Sequence, residues 1–212
     1  MIQGNKISSS SILLKENQYD GVSYVSPAWD QMGEYTFRLA RQILDSEEKF
    51  DRVVALAKGG WTWARTLVDY LGIDEISSVR FKSYQGVNEA VEPQIIQPLT
   101  DRINGENILL FDEVIDSGET IKRASEYLRI MGAKSIRIAA LCYKPYSCVV
   151  PDYFAFETSA WVVFPHEIRE FIEASYHKWQ LNRISIKEIR KRFDKLGLPE
   201  DQVEFFLGKI NS

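Results

Sequence analysis

Apolar residues along this chain fall into short unbroken runs separated by amphipathic stretches, and the two kinds alternate. Arg52-Val53-Val54-Ala55-Leu56-Ala57, Ile76 to Phe81, Ile108-Leu109-Leu110-Phe111, Ser135 to Cys142 and Tyr153 to Glu157 have the length and composition of buried strands. Between them the period lengthens. A helix is expected to begin after Ser26 as N-cap with Pro27 at its first position and to run to about Asp45. Its apolar face is Met32, Phe37, Ala40, Ile43 and Leu44, with Arg38 and Arg41 on other faces. An aromatic-rich helix follows from Trp61 to about Leu71, and another from Glu119 to Met131, stopped by Gly132. Strands alternating with helices to about residue 165 predict an α/β fold, an open and mainly parallel sheet flanked by helices.

After the apolar segment Ser159 to Pro165 only helical patterns remain. Ser185-Ile186-Lys187-Glu188 is a capping box, Gly197 a stop, and Leu198-Pro199-Glu200 opens a last helix through Leu207, so a small C-terminal helical extension is expected over 169–212. Residues 1–22, with the run Ser8 to Ser11 and no sustained periodicity, read as a flexible or loosely docked lead-in. Gln85 to Asp101 has little periodicity, two prolines, two glutamates and no basic residue, and reads as a mobile functional loop.

Composition narrows the function classes. With 212 residues and 45% hydrophobic content the chain can bury a full core, one domain plus an appendage. A formal net charge of −4 argues against general nucleic-acid or membrane-surface binding, so an anionic substrate must be met by local donors. No apolar run reaches membrane length and Met1 to Asp20 lacks a charged-then-apolar leader pattern, which implies a cytoplasmic location. Cys142 and Cys148, with His166 and His177, have no ligand-like spacing, so they are not expected to form a metal cluster. Both cysteines are expected to be reduced and buried or partly buried.

The chemistry concentrates in Ile108 to Thr120. Four apolar residues run into Asp112 and Glu113, then Asp116, then a Ser117-Gly118-Glu119-Thr120 turn that opens a helix. A parallel strand delivers its C-terminal residues to the crevice where open α/β sheets bind ligands, and the turn's N–H groups with the Ser117 and Thr120 hydroxyls suit a phosphate. Lys58-Gly59-Gly60, between a strand and a helix, is a second anion-site candidate, or a plain turn with a solvated lysine.

The strand-acid-acid-x-x-Asp-Ser-Gly-x-Thr segment resembles the phosphoribosyl diphosphate (PRPP) motif of the type I phosphoribosyltransferases. The resemblance extends over residues 24 to about 168: Tyr24 to Asp30, Ala57-Lys58-Gly59-Gly60, Lys82-Ser83-Tyr84, Tyr143-Lys144-Pro145 and Trp161-Val162-Val163-Phe164-Pro165 fall in the order and approximate spacing of the bacterial xanthine-guanine enzymes. It implies a domain over 23–168, with a base-binding hood at about 144–168, that transfers 5-phosphoribosyl from PRPP to a 6-oxopurine. Asp112 and Glu113 would meet the ribose hydroxyls and hold Mg²⁺, which the family uses. Asp116 would lie near the purine N7, and Ser117, Gly118, Glu119 and Thr120 would hold the 5′-phosphate, the Glu119 carboxylate pointing away from it. Lys58 and Gly59 would form the pyrophosphate loop, with a non-proline cis peptide between them. Lys144 would donate to the 6-oxo group, Trp161 would stack on the base and Val162 would offer backbone groups to its edge.

One departure is the absence of a basic residue from Ser83 to Asp101, which leaves Lys82 or a neighbouring subunit to meet pyrophosphate. The family's habit and the aromatic Trp61 to Tyr70 helix imply a homodimer or homotetramer. Two other readings stay open: an adenine or orotate transferase, and a non-catalytic PRPP- or nucleotide-sensing regulator. The tail residues Lys187, Arg190, Lys191, Arg192 and Lys195 suit a regulator that contacts nucleic acid, whereas Glu188, Asp194, Glu200, Asp201 and Glu204 dilute that charge.

Overall fold

The computed structural model describes residues 14–82, 85–86, 89–90 and 93–210. In chain order its elements are β1 (Glu16–Tyr19), β2 (Val22–Val25), α1 (Trp29–Asp45), β3 (Arg52–Ala57), α2 (Gly59–Leu71), β4 (Glu75–Lys82), β5 (Gln85–Gly86), β6 (Glu89–Ala90), β7 (Gln94–Gln97), β8 (Asn107–Ile115), α3 (Glu119–Ile130), β9 (Ser135–Tyr143), β10 (Tyr153–Glu157), β11 (Trp161–Val162), α4 (Ile168–Leu181), α5 (Ile186–Lys195) and α6 (Glu200–Ile210). They group into two compact units, Met32–Ser159 and Met1–Gln31 together with Ala160–Ser212.

The first unit is built on a six-stranded sheet of order β10-β9-β8-β3-β4-β7. Every pairing is parallel except that of β7 with β4. This is the open, mainly parallel sheet that the alternation predicts. Val54, Leu56, Ile108 and Leu110 share one apolar cluster with Ile121, Ala124 and Leu128 of α3. Leu109 and Phe111, also fully buried, face the opposite side by strand alternation. Burial on both faces is why β8 reads as an unbroken apolar run. β8 pairs with β3 only as far as Ala55↔Phe111, but with β9 as far as Ile115↔Tyr143. It therefore overruns one neighbour at its carboxyl end.

The amino end of this sheet is tied by charge. Arg52, 7% exposed, donates to Glu106 at 2.8 and 3.3 Å and to Ser77 at 2.9 Å, and Glu75 lies 2.9 Å away. The Ser77 hydroxyl donates in turn to Asp101 at 2.7 Å. The hydrogen bond to Glu106 raises the guanidinium's pKa above its ordinary value.

Several expectations are corrected. α1 starts at Trp29, two residues after Pro27, because the Gln31 side chain reaches back to accept the Ala28 N–H at 2.8 Å, which moves the start. It buries Met32, Tyr35, Thr36, Leu39, Ala40 and Ile43, whereas Phe37 and Leu44 are half exposed, because the buried face is rotated toward Tyr35 and Leu39. Within Gln85 to Asp101, β7 pairs with β4 as the edge strand of the sheet and β5 pairs with β6. Ser83 and Tyr84 lie outside the described residues, as do residues 1–13.

In the second unit, β1 and β2 form an antiparallel hairpin where the sequence shows no sustained periodicity. Its turn is Asp20-Gly21, both at positive φ, +51° and +79°. That dipeptide is a strong hairpin signal in its own right. β11 adds to β2 in parallel, Trp161 opposite Tyr24 and Val162 opposite Val25. The three C-terminal helices pack Phe171, Ile172, Trp179, Ile189, Phe193 and Leu207 into one core with Tyr24 and Val163. Ser185 caps α5 by accepting the Glu188 N–H, as the capping box predicts. Arg192 stands between the hairpin and the helices: its guanidinium lies 4.8 Å from the Tyr19 ring and 5.0 Å from the Trp179 ring and donates to Asp20 at 2.8 Å. Among the described residues no helix is long and apolar enough to cross a membrane.

Replacing Arg192 removes two cation-aromatic contacts and leaves the Asp20 carboxylate without this cation. Arg192→Ala is expected to cost about 1–3 kcal/mol, read as a lower denaturant midpoint with unchanged slope. A midpoint equal to that of the parent protein would show that the hairpin does not depend on this residue.

Candidate active site

Three segments of the first unit meet at the carboxyl end of β8. One is the end of the strand itself. Its register with β9 passes from Asp112↔Ala140 to Val114↔Cys142. The Glu113 N–H between them is bound by Asp112 Oδ1 at 3.0 Å. Glu113 is 8% exposed.

The second segment is the turn after β3. A Cβ on Gly59 would overlap the Glu113 carboxyl group, and one on Gly60 would lie 3.0 Å from Asp112 Oδ1 and 3.1 Å from its Cα. Only glycines let the amino end of α2 come this close to both acids. No side chain caps that end, so its first-turn N–H groups stand beside the acid pair. Lys58 is exposed. The non-proline cis peptide is Ala57–Lys58, one bond before the Lys58–Gly59 bond expected. β3 keeps register through Ala57↔Arg80 and α2 begins at Gly59, so Lys58 is the single joining residue and the chain changes course at the bond preceding it.

The third segment is the turn from Asp116 into α3. Gly118 sits at φ +87°, and a Cβ there would lie 2.6 Å from Ser147 Oγ and 2.9 Å from both Cys148 Sγ and Val149 N. Ser117 Oγ accepts the Glu119 N–H at 3.4 Å, and no side chain caps α3. Thr120 is part-buried in the first turn of α3. The loop after β9 is laced onto this turn. The Lys144 N–H donates to Ile115 O and the Cys148 N–H to Ser117 O, both at 2.9 Å. The Tyr146 hydroxyl donates to Asp116 Oδ1 at 2.5 Å. Glu119 is turned toward Cys148, whose Sγ lies 3.6 Å from its Oε1.

Charge at this end is tuned by burial. Lys144 is 4% exposed, and desolvation pulls its ammonium below the usual lysine range, against the raising influence of Cys142 and Asp116. Burial pushes the Cys142 thiol up to about 12, so it stays protonated and unreactive. Cys148 is exposed, contrary to expectation, because the loop that carries it covers Gly118 from the solvent side.

Lys58, Gly59, Asp112, Glu113, Asp116, Ser117, Gly118, Glu119, Thr120 and Lys144 thus lie in the first unit, at or next to the carboxyl ends of β3, β8 and β9. Trp161, 58% exposed, and Val162, buried, belong to the second unit on β11. Sequence reasoning missed Gly60 as a contact of Asp112 and Tyr146 as a partner of Asp116. An aromatic directly after Lys144-Pro145 was the only signal for the latter, and in sequence it is indistinguishable from a surface tyrosine.

Glu113 Oε2 is buried with no hydrogen-bond partner among the described residues. An orphaned buried carboxylate oxygen is costly, and with Asp112 adjacent the oxygen donor set suits a hard divalent cation such as Mg²⁺.

Two adjacent parallel strands that each lead into a helix amino terminus, with an acid pair between, make an arrangement suited to a hydroxylated ligand that carries anionic groups at separate points. Residues 29–170 match the family model of the phosphoribosyl transferase domain, and the chain belongs to that family. A xanthine-guanine phosphoribosyltransferase of Gluconobacter oxydans (strain 621H) is 31% identical over 147 residues, 68% of this chain and 84% of that protein. Among solved structures, a purine phosphoribosyltransferase from Pyrococcus horikoshii Ot3 shares 32% identity with a TM-score of 0.62, covering 67% of this chain and 93% of that one. A hypothetical protein from Neisseria gonorrhoeae with bound ppGpp, at 24% identity, TM-score 0.61 and coverage of 68% and 89%, shares the fold.

Gly118→Ala places a Cβ against Ser147, Cys148 and Val149 at an unfavourable φ. It is expected to cost about 2 kcal/mol or more, seen as a thermal midpoint lower by several degrees. An unchanged midpoint would mean that the loop after β9 yields without cost.

Proposed function

We propose that this protein transfers the 5-phosphoribosyl group of PRPP to a 6-oxopurine, guanine, xanthine or hypoxanthine, giving the nucleoside 5′-monophosphate and pyrophosphate. One observation carries the reading: buried Lys144 and exposed Asp116 share the carboxyl end of the sheet with the acid pair and the two helix amino termini. The 31% identical relative named for xanthine and guanine supports the choice of base class.

The C1–O bond to pyrophosphate breaks as a purine ring nitrogen bonds to C1 through an oxocarbenium-like state. The protein's task is to fix the charged ends while C1 moves between them. The α3 amino end with Ser117, Gly118 and Thr120 holds the 5′-phosphate, and the Lys58-Gly59 turn at the α2 amino end holds pyrophosphate. Asp112 and Glu113 accept from the ribose hydroxyls. They would also hold Mg²⁺, which supplies charge compensation on the departing pyrophosphate. Asp116 accepts the proton at purine N7. Lys144 donates to the 6-oxo group, and a cation there disfavours a 6-amino group. Trp161 stacks on the base and Val162 offers backbone groups to its edge.

The exposed Trp61 and Tyr70 of α2, with Phe37 of α1 in edge contact with Tyr70 at 5.6 Å, support assembly into a homodimer or homotetramer. In the tail, Arg190 is bidentate to Glu204 at 2.7 and 2.9 Å and Arg192 is bound to Asp20. This engagement weighs against nucleic acid as a partner.

A panel of purines and pyrimidines with PRPP and Mg²⁺ tests the reading. Guanine, xanthine or hypoxanthine is expected to react, and Asp116→Asn to lower kcat by about 10²–10⁴-fold with native circular dichroism. Turnover of adenine or orotate alone would overturn it.

Lys144 gives a pH signature. Its donor role needs the ammonium form, and burial lowers its pKa, so base binding is fullest below that pKa and is lost as pH rises through it. KM for the base is expected to climb at a pH below the ordinary lysine range, while KM for PRPP stays level. Parallel behaviour of the two constants would remove Lys144 from base recognition.

A further inference from the structure

Tyr146 is 63% exposed, yet its hydroxyl is committed to Asp116 Oδ1 at 2.5 Å. The ring stands on a short, pinned piece of chain. Lys144 N–H bonds Ile115 O, Ser147 N–H turns back to Lys144 O and Cys148 N–H bonds Ser117 O, each at 2.9 Å. The backbone on either side of Asp116 is thus bonded to the backbone on either side of Tyr146. The side-chain bond closes that pair of peptide contacts, and neither partner can drift far without breaking them.

We propose that Tyr146 is a positioning residue for Asp116, holding the carboxylate by Oδ1 so that Oδ2 is left aimed at the proton it accepts from the base. This inference rests on the role assigned to Asp116 above. A carboxylate on an exposed turn otherwise samples several rotamers, and restricting it to one favours proton transfer in the transition state. A phenol is suited to the task because it donates without carrying charge. The hydrogen bond to Asp116 pushes its pKa up to about 12, so it remains a donor throughout the neutral range. The other ionisable groups coupled to this pair come from β9 and the residue after it, the Lys144 ammonium and the Cys142 thiol. On its own segment Asp116 has Glu113 before it and Glu119 after it. Against that background Tyr146 is the neutral donor to the Asp116 carboxylate.

Tyr146→Phe removes the hydroxyl and keeps the ring. With guanine, PRPP and Mg²⁺ it is expected to lower kcat about three- to tenfold and to leave KM for PRPP within error. In an Asp116→Asn background the same change is expected to do nothing further to the residual rate. Parent-like kcat for Tyr146→Phe, beside a strongly impaired Asp116→Asn, would overturn this inference alone. So would an equal loss in both backgrounds, which would indicate a structural role. An Asp116→Asn protein as active as the parent would overturn the role of Asp116 and this inference with it.

Discussion

The structure of the first unit depends on how closely the amino end of α2 approaches the acids of β8. Gly59 and Gly60 bring the helix backbone against Glu113 and Asp112 with no room for a side chain. That approach is possible because β3 stops pairing with β8 at Phe111, two residues before Glu113. Its cost is a buried carboxylate oxygen at Glu113 with no hydrogen-bond partner among the described residues. A cation beside the acids and anionic groups at the two helix ends would offset such an arrangement.

A second constraint acts on the other side of β8. The chain after β9 is bonded backbone to backbone onto the 115–118 turn and leaves space only for glycine at position 118. It carries Lys144 into a buried setting and Tyr146 onto Asp116. Lys144, Tyr146 and the turn into α3 are therefore parts of one braced assembly, held mainly by peptide groups.

The second unit solves a different problem. β11 is only two residues long and cannot persist alone. It is held by β2 and by a core in which Tyr24 and Val163 pack with α4, α5 and α6, while Arg192 joins hairpin to helices. The C-terminal helices thus give the strand bearing Trp161 and Val162 a scaffold, which is a structural reason for their presence beyond the residues matched to the family.

The sequence by itself determined the parallel sheet, the strand that ends in Asp112 and Glu113, the helix starts at Ser185 and after Ser117-Gly118, and the family. Each of these is local: a run of apolar residues, a cap, a motif of fixed spacing. It misjudged what depends on neighbours distant in sequence. Phe37 and Leu44 fit a helical stripe as well as Tyr35 and Leu39 do, and only the opposing surface selects the buried set. Asp20-Gly21 was a legible turn, but the hairpin it closes needed β11 and the C-terminal helices to form a core. Tertiary structure alone decided that Gly60 abuts Asp112, that Glu113 Oε2 has no hydrogen-bond partner among the described residues, and that Tyr146 reaches Asp116. The two contacts join residues 52 and 30 positions apart, and no pattern along the chain encodes a distance across a sheet.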